Sequence, residues 1–154
     1  MDFVFGGCHA TKAQCNQHAT AAETSMTTTQ RDIQTALDRL NALIGSKDMG
    51  IVNAFDDDAD VLLAGSEADE VMRGKPALTT FFQALFARPV TMGWDWSRVD
   101  GASQGNVFWL FAEGHVVIDD SGTITRRPYR LSGVLVRRDG NLHWRLFHGA
   151  EPHG

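Results

Sequence analysis

Seven carboxylates lie within the segment FDDDADVLLAGSEADEVMRG, which spans positions 55–74. Carboxylates this dense can act as general acids or bases, bind a metal ion or simply be solvated. The first three follow an apolar stretch, and aspartate at such a junction bonds the backbone N–H groups of turns. Because charged side chains are usually exposed, we expect most of this segment to be solvated. The residues expected to be exposed are Asp56, Asp57, Asp58, Glu67, Asp69 and Glu70.

Three side chains on predicted strands of the second half are further candidates for chemistry. Glu113 and His115 share a strand face with Trp109, because side chains two residues apart point the same way. In an apolar pocket they could form an acid–base pair, since a low-polarity environment favours the neutral form of an acid. Near the end of the strand they could instead reach water. His148 could donate or accept a proton near neutral pH, or be a structural histidine at the sheet edge.

Two tryptophans lie on one face of an earlier strand. Trp94 and Trp96 alternate with small or polar residues in the stretch MGWDWS, which is typical of a half-buried strand. They could form the wall of an apolar pocket that binds a ligand. They could equally belong to the core or to a dimer contact.

The first half of the chain contains the helix signals that would position these strands. Thr27 followed by Gln30 fits a capping box, and Gly45 fits a C-terminal stop. Apolar residues then recur at helical spacing. The predicted stripe consists of Ile33, Ala36, Leu37, Leu40 and Leu43 or Ile44.

Two further helices are predicted after the first. Ser46 can cap a short helix whose apolar side is Met49, Val52 and Phe55. Pro76 suits the first turn of a third helix, which ends before Pro89. The apolar face of this third helix is Leu78, Phe81, Phe82, Leu85 and Phe86.

The remainder is predicted to form strands at 61–64, 92–97, 107–118, 129–138 and 142–150. Asp139-Gly140 joins the last two strands as a tight hairpin. Helices followed by a meander of strands indicate an α+β domain with the helices on one face of a curved antiparallel sheet. We predict one domain over 27–154, preceded by a tail at 1–26.

Composition excludes several classes of partner. The net charge of −5 argues against a nucleic-acid or anionic-membrane surface as the main partner. No apolar run approaches the roughly 20 residues of a membrane-spanning helix, and no secretory signal is evident, so we expect a cytoplasmic protein. Four possible zinc ligands crowd the tail without the two-plus-two spacing of structural zinc sites, so no metal or cofactor is expected. These residues are Cys8, His9, Cys15 and His18.

The order of four motifs gives the chain a family resemblance. They are Phe-x-x-Asp-Ala-Asp-Val at 55–61, Gly-Lys-x-Ala-Leu-x-x-Phe-Phe at 74–82, Arg-x-Ser at 130–132, and Arg-Asp-Gly at 138–140 before a Trp-bearing strand. In this order the chain resembles the nuclear transport factor 2-like superfamily, in particular its SnoaL-like branch, which also contains ketosteroid isomerase. The resemblance implies a cone-shaped, cystatin-like fold in which three helices wrap a bent sheet around a pocket.

The resemblance also implies roles for particular residues. It suggests that Arg130, Ser132 and His148 look into the pocket, where Arg130 would hold a carboxylate or enolate oxygen. Alternatively, Arg130 forms a surface or interface ion pair. An ungapped comparison places Leu63 where ketosteroid isomerase has its general base, and leucine cannot accept a proton.

Two classes of function are compatible with these observations. The first is a domain that binds a small, largely apolar organic molecule, with isomerase, dehydratase or cyclase activity. The second is a non-catalytic binding or dimerisation module of the same fold. The predicted strand at 107–118 is apolar on both faces, whereas helices can cover only one. We therefore expect a homodimer through the outer face of the sheet.

The tail before Thr27 lacks a periodic apolar face, so it offers little hydrophobic surface to offset the entropy of ordering it. Deletion of residues 1–25 is expected to leave the melting temperature nearly unchanged, as measured by differential scanning calorimetry. A drop of several degrees would show that the tail contributes to folding.

Overall fold

The computed structural model describes residues 26–153, so the predicted tail and its possible zinc ligands lie outside the described residues. The domain is an α+β fold, as predicted, with a six-stranded sheet and helices on its inner face. The elements in chain order are α1 (Thr28–Gly45), a 3₁₀ helix (Met49–Ala54), β1 (Leu62–Ala64), β2 (Val71–Arg73), α2 (Gly74–Phe86), β3 (Thr91–Gln104), β4 (Val107–Asp120), β5 (Thr123–Arg138) and β6 (Asn141–Ala150).

The sheet has the strand order β2-β1-β6-β5-β4-β3. Its strands pair antiparallel except for β1 and β6, which run parallel. The parallel pair and strand β2 were not predicted, because a three-residue strand leaves too short a pattern to recognise. No helix among the described residues is long and apolar enough to cross a membrane.

Helix α1 forms as the sequence predicts. The Thr27 hydroxyl accepts from the N–H of Gln30 at 3.2 Å, and the Gln30 side chain accepts from the N–H of Thr27 at 3.1 Å, which completes a capping box. The buried stripe is Ile33, Ala36, Leu37, Leu40 and Ile44.

The second helix differs from the prediction in its type, its cap and its buried face. Ser46 closes α1, and the 3₁₀ helix is capped by Asp48, whose side chain accepts from the N–H of Gly50 at 2.7 Å. Its buried residues are Ile51 and Ala54. Phe55 is buried too, but it lies in extended backbone that bridges to Trp144.

Helix α2 begins two residues before Pro76 and ends at Phe86, before Pro89. Its predicted apolar face is confirmed, with Leu78 and Phe82 buried. Phe81, Leu85 and Phe86 of the same face are only partly covered. This helix lies beside β2 and the 3₁₀ helix, whereas α1 lies across β3 at the opposite edge of the sheet.

The long strands alternate between two faces, as their sequences predict. On β4 the inner residues Phe108, Leu110 and Ala112 are buried against the helices. On the outer face, Trp109 and Phe111 are 45% and 37% exposed. On β5 the inner residues are Tyr129, Leu131, Gly133 and Leu135.

A bulge in β6 overturns the predicted face of that strand. The pairing with β5 shifts between Val134 and Leu135, so that Trp144 and Phe147 both face inward. Strict alternation along 142–150 would place Leu142, Trp144, Leu146 and His148 on one face. Past the bulge, His148 is instead exposed on the outer face, opposite Ser132.

The structure contradicts the prediction that Asp56 is solvated. Asp56 is 1% exposed, and Arg138 donates to its two oxygens at 2.6 and 3.1 Å. Arg145 adds a contact at 3.3 Å and also pairs with Asp58 at 2.7 Å. Hydrogen bonding by Arg138 holds the pKa of the Asp56 carboxyl below its usual value, against the opposing effect of burial.

The remaining acids of the segment divide as follows. Asp57 is exposed, as expected, and forms an ion pair with Lys75. Asp69 and Glu67 are exposed as well, but Glu70 is half-buried. The dense acidic segment therefore contains one buried carboxylate, Asp56, and two half-buried ones, Asp58, which was also expected to be exposed, and Glu70 on a separate loop.

Asp56→Asn is expected to reduce the free energy of unfolding at pH 7 by about 1–3 kcal/mol, because it removes the buried partner of an ion pair whose two arginines are partly exposed. Since the folded-state pKa of Asp56 is lowered, its contribution is complete above the unfolded pKa and is lost as pH falls through the folded value. Urea unfolding from pH 3 to pH 7 should thus show a smaller difference between variant and wild type at low pH.

The matched control is Asp60→Asn, which removes an exposed carboxylate from the same segment. Its unfolding free energy is expected to stay within about 0.5 kcal/mol of wild type. Equal costs for the two variants would contradict a special role of Asp56.

Candidate functional site

A pocket of about 280 Å³ lies between the helices and the inner face of the sheet. Its deeper walls are apolar, since α1, the 3₁₀ helix, α2 and the sheet all present hydrophobic side chains to it. They include Leu40, Ile51, Phe55, Leu85, Val116 and Phe147. The partial exposure of Phe81 and Leu85 on α2 follows from their position along this cavity.

Two side chains with hydrogen-bond donors lie in this apolar wall. They are Trp94 on β3, which is 8% exposed, and Tyr129 on β5, which is 5% exposed. Their rings lie 6.1 Å apart between centroids. A ligand in the pocket would therefore meet an N–H and an O–H group close together.

The backbone of Trp94 is fixed by helix α1. The Asn41 side chain donates to the carbonyl of Trp94 at 3.1 Å and accepts from its N–H at 2.8 Å. Gly93 permits this approach, because a Cβ there would lie 2.9 Å from the Asn41 oxygen. The indole itself stacks on Trp96, with 6.1 Å between centroids and 12° between planes.

The indole nitrogen of Trp94 is buried and has no hydrogen-bond partner within residues 26–153. The N–H lies near the Tyr129 hydroxyl and favours ionisation of that group, but the contact does not reach hydrogen-bond geometry. An unpaired buried donor is costly, and this one belongs to a side chain that lines the pocket.

Tyr129 is held as a neutral hydrogen-bond donor. Burial raises the pKa of its hydroxyl, and the carboxylates of Glu70 and Glu151 raise it further. The oxygen lies over Gly149 of the neighbouring strand, where any side chain would collide with it. Tyr129 is the only tyrosine of the chain, and its environment keeps it protonated at physiological pH.

Charged groups surround the polar end of the pocket. Glu151 accepts from the hydroxyl of Ser66 at 3.2 Å and pairs with Arg127 at 3.2 Å. Glu70 is half-buried at the end of the loop between β1 and β2, and one of its oxygens accepts from the N–H of Glu67 at 3.3 Å. Within the described residues Glu70 has no ion pair.

Most residues singled out in the sequence lie away from this pocket. Glu113 and Arg130 pair with each other at 3.2 Å on the outer face, where both are partly exposed. The residues found on that face are Trp109, Glu113, His115, Arg130, Ser132 and His148. The expectation that Arg130, Ser132 and His148 look into the pocket is wrong, because the inner positions of β5 are those of Tyr129 and Leu131.

Of the two tryptophans predicted to bind a ligand, Trp94 lines the pocket, whereas Trp96 stacks on Trp94 and does not line it. Tyr129, Glu70 and Glu151 line the pocket but were not among the predicted site residues. Tyr129 could have been found from strand alternation, since it shares the parity of Leu131 and Leu135. Glu70 carries no such signal, because its loop is short and rich in exposed acids.

Solved structures of other proteins share this architecture. A proposed dehydratase of the NTF2-like family from Streptomyces avermitilis aligns with a TM-score of 0.72 and 10% identity over 80% of this chain and 96% of its own. ActVI-ORFA from Streptomyces coelicolor aligns with a TM-score of 0.70 and 15% identity over 83% and 100%. A proposed calcium/calmodulin-dependent protein kinase II association domain from Xanthomonas campestris gives 0.63 and 14% over 80% and 87%.

At these identities the likeness concerns the fold, which is that of the nuclear transport factor 2-like superfamily. A comparison with curated protein sequences finds no match. The model of the SnoaL-like domain matches residues 33–151, nearly the whole described domain. The pocket between helices and sheet thus lies within the matched region, and the chain belongs to the SnoaL-like domain family.

Proposed function

We propose that the protein binds a small, largely apolar organic molecule that presents a carbonyl or hydroxyl oxygen to Trp94 and Tyr129. The observation that carries this proposal is the unpaired, buried N–H of Trp94 in an otherwise apolar pocket. A ligand oxygen would satisfy this donor together with the Tyr129 hydroxyl. A few polar groups in apolar walls are the usual composition of a small-molecule site.

The activity we propose for this site is isomerisation, dehydration or cyclisation of such a molecule. Each of these reactions can proceed through a polarised carbonyl group, and paired donors stabilise the charge that develops on its oxygen. The structural similarity to a proposed dehydratase supports this choice. A ketosteroid-isomerase-like arrangement is not supported, because Leu63, at the position expected for the base, is an apolar wall residue of the pocket.

The alternative is a non-catalytic binding or dimerisation module, which the similarity to a proposed kinase association domain favours. None of Glu113, His115, Arg130 and His148, whose burial in the pocket would have favoured an enzyme, lies there. The cavity nevertheless remains open to a ligand and contains other polar groups, which favours ligand binding over a purely structural role.

The ligand proposal predicts selectivity for a ketone over the hydrocarbon of the same shape. Isothermal titration calorimetry should show that 2-tetralone binds more tightly than tetralin. Trp94→Phe and Tyr129→Phe should each weaken ketone binding about 5–20-fold, which corresponds to one lost hydrogen bond of about 1–2 kcal/mol. Tetralin binding should change less.

Trp109→Phe removes the same indole from the opposite face of the sheet and serves as the control. It should leave both affinities unchanged. If ketone and hydrocarbon bind equally well, or if Trp109→Phe has the same effect as Trp94→Phe, the donors do not contact the ligand.

The outer face of the sheet is the surface through which we propose a homodimer. Val107 and Trp109 on β4 are 43% and 45% exposed and lie directly opposite Val136 and Val134 on β5. This places four apolar side chains in one patch that no described helix covers. A second copy presenting the same patch would bury it in a symmetric contact.

Sedimentation at micromolar concentration is expected to report twice the chain mass of 16.9 kDa. Trp109→Asp should convert the protein to a monomer, because it places an unpaired charge in the interface. Val71→Asp changes a more exposed apolar residue on the edge strand β2 and should remain dimeric. A monomeric wild type, or monomers from both variants, would contradict the proposed surface.

A further inference from the structure

Two glycines on neighbouring strand positions hold the polar groups of the pocket. The Glu70 carboxylate folds back over Gly65, where a Cβ would collide with it, and the Tyr129 hydroxyl lies over Gly149 in the same way. A glycine is needed at each position for steric reasons, since neither Gly65 nor Gly149 has a positive φ. Both polar groups are therefore placed by the absence of a side chain beneath them.

The sheet register brings these two glycines together. Strand β1 runs parallel to β6, and its last residue, Ala64, is paired with His148. Gly65 directly follows β1 and Gly149 follows His148 in β6, so this register, continued by one residue, would place the two glycines side by side. The carboxylate over one glycine and the hydroxyl over the other are consequently neighbours at the polar end of the pocket.

The raised pKa of the Tyr129 hydroxyl agrees with a position of the Glu70 carboxylate close to it. After burial, the Glu70 carboxylate is the strongest influence that raises the pKa of the hydroxyl, ahead of Glu151. A negative charge near the hydroxyl oxygen opposes its ionisation. Tyr129 thus remains a donor, and Glu70 is the adjacent group that can accept a proton.

Of the two half-buried acids that line the pocket, Glu70 and Glu151, only Glu70 has no cationic partner among the described residues. Asp56 is paired with Arg138 and Arg145, and Glu151 is paired with Arg127. Glu70 has a single backbone donor, from Glu67, and no ion pair within residues 26–153. One oxygen of the Glu70 carboxylate accepts a hydrogen bond, and no cation neutralises its negative charge. Such a carboxylate is suited to take up and release a proton.

We propose that Glu70 is the general base of this pocket and removes a proton from the carbon next to the carbonyl group of a bound ketone. The C–H bond breaks and its proton passes to the Glu70 carboxylate. Its electron pair forms a C=C bond to the carbonyl carbon, and the carbonyl oxygen takes the negative charge. Tyr129 and Trp94 donate to this oxygen. Return of the proton from Glu70 regenerates a ketone, and no cofactor is consumed.

This inference rests on the proposed binding of a carbonyl-bearing ligand and adds the chemistry of that site. Gly65 is a positioning residue in it, because a methyl group there would displace the carboxylate while leaving its charge intact. Proton abstraction depends on placement of the base to within a fraction of an ångström. Affinity for the ketone depends mainly on the apolar walls and the two donors.

The test is the exchange of the acidic hydrogens of 2-tetralone for deuterium in D₂O, followed by NMR with the full chain. The wild type is expected to accelerate exchange over buffer. Glu70→Gln should lower the protein-dependent rate by at least about 100-fold, the lower range for loss of a general base. The dissociation constant of 2-tetralone, measured separately, should stay within about threefold of wild type.

Asp69→Asn is the matched control, since Asp69 precedes Glu70 in the same loop, is exposed and does not line the pocket. It should exchange at the wild-type rate. Gly65→Ala should slow exchange strongly while ketone affinity changes little, because its methyl group displaces Glu70 and leaves the two donors in place. A Gly65→Ala variant that exchanges normally would remove the positioning role.

The outcomes separate this inference from the function on which it rests. Binding of 2-tetralone without accelerated exchange, or exchange that survives in Glu70→Gln, would overturn the role of Glu70 and leave the ligand proposal intact. Failure of 2-tetralone to bind would overturn the ligand proposal, and the role of Glu70 with it.

Discussion

The burial of the inner face of the sheet is the constraint on which the rest of the structure depends. Helix α1 covers β3 at one edge, and α2 lies beside β2 at the other. Between them the long strands curve, so two helices at opposite edges cannot fill the space over the middle of the sheet. Phe81 and Leu85 of α2 reach only part of it. The pocket is the remaining volume, and its apolar walls are continuous with the core.

Strand alternation determines which side chains of the sheet line the pocket. The helices, the long strands and the two faces of β4 could be predicted from periodicity, because each pattern runs over many residues. Alternation places Arg130 and Leu131 on opposite faces of β5 but does not say which face lines the pocket, and the family resemblance implies the face that the structure puts outside. The prediction for His148 is wrong for a different reason. The bulge in β6, opposite Val134 and Leu135, reverses the alternation of the residues that follow it, and no local sequence signal marks the bulge.

The acidic segment shows why neighbouring residues of one type could not be separated from sequence. Asp56 and Asp57 are adjacent, yet the first is buried and the second is exposed. The partner of Asp56, Arg138, lies 82 residues away and is brought close only by the pairing of β6 with β5. A buried carboxylate is tolerated only with such a partner, so its burial is a property of the folded topology.

The same topology connects the edge of the sheet to the pocket. The short hairpin of β1 and β2 contributes Leu63 and Met72 to the core, and its parallel pairing with β6 brings the acidic loop towards Gly149 and the Tyr129 hydroxyl. On β5, Tyr129 points to the pocket and the next residue, Arg130, points to the outer face. Consecutive side chains thus face the proposed ligand site and the outer face of the sheet, through which we propose a homodimer. The sheet separates the pocket from the outer face. A substitution on the outer face can therefore alter the proposed dimer surface without disturbing the pocket.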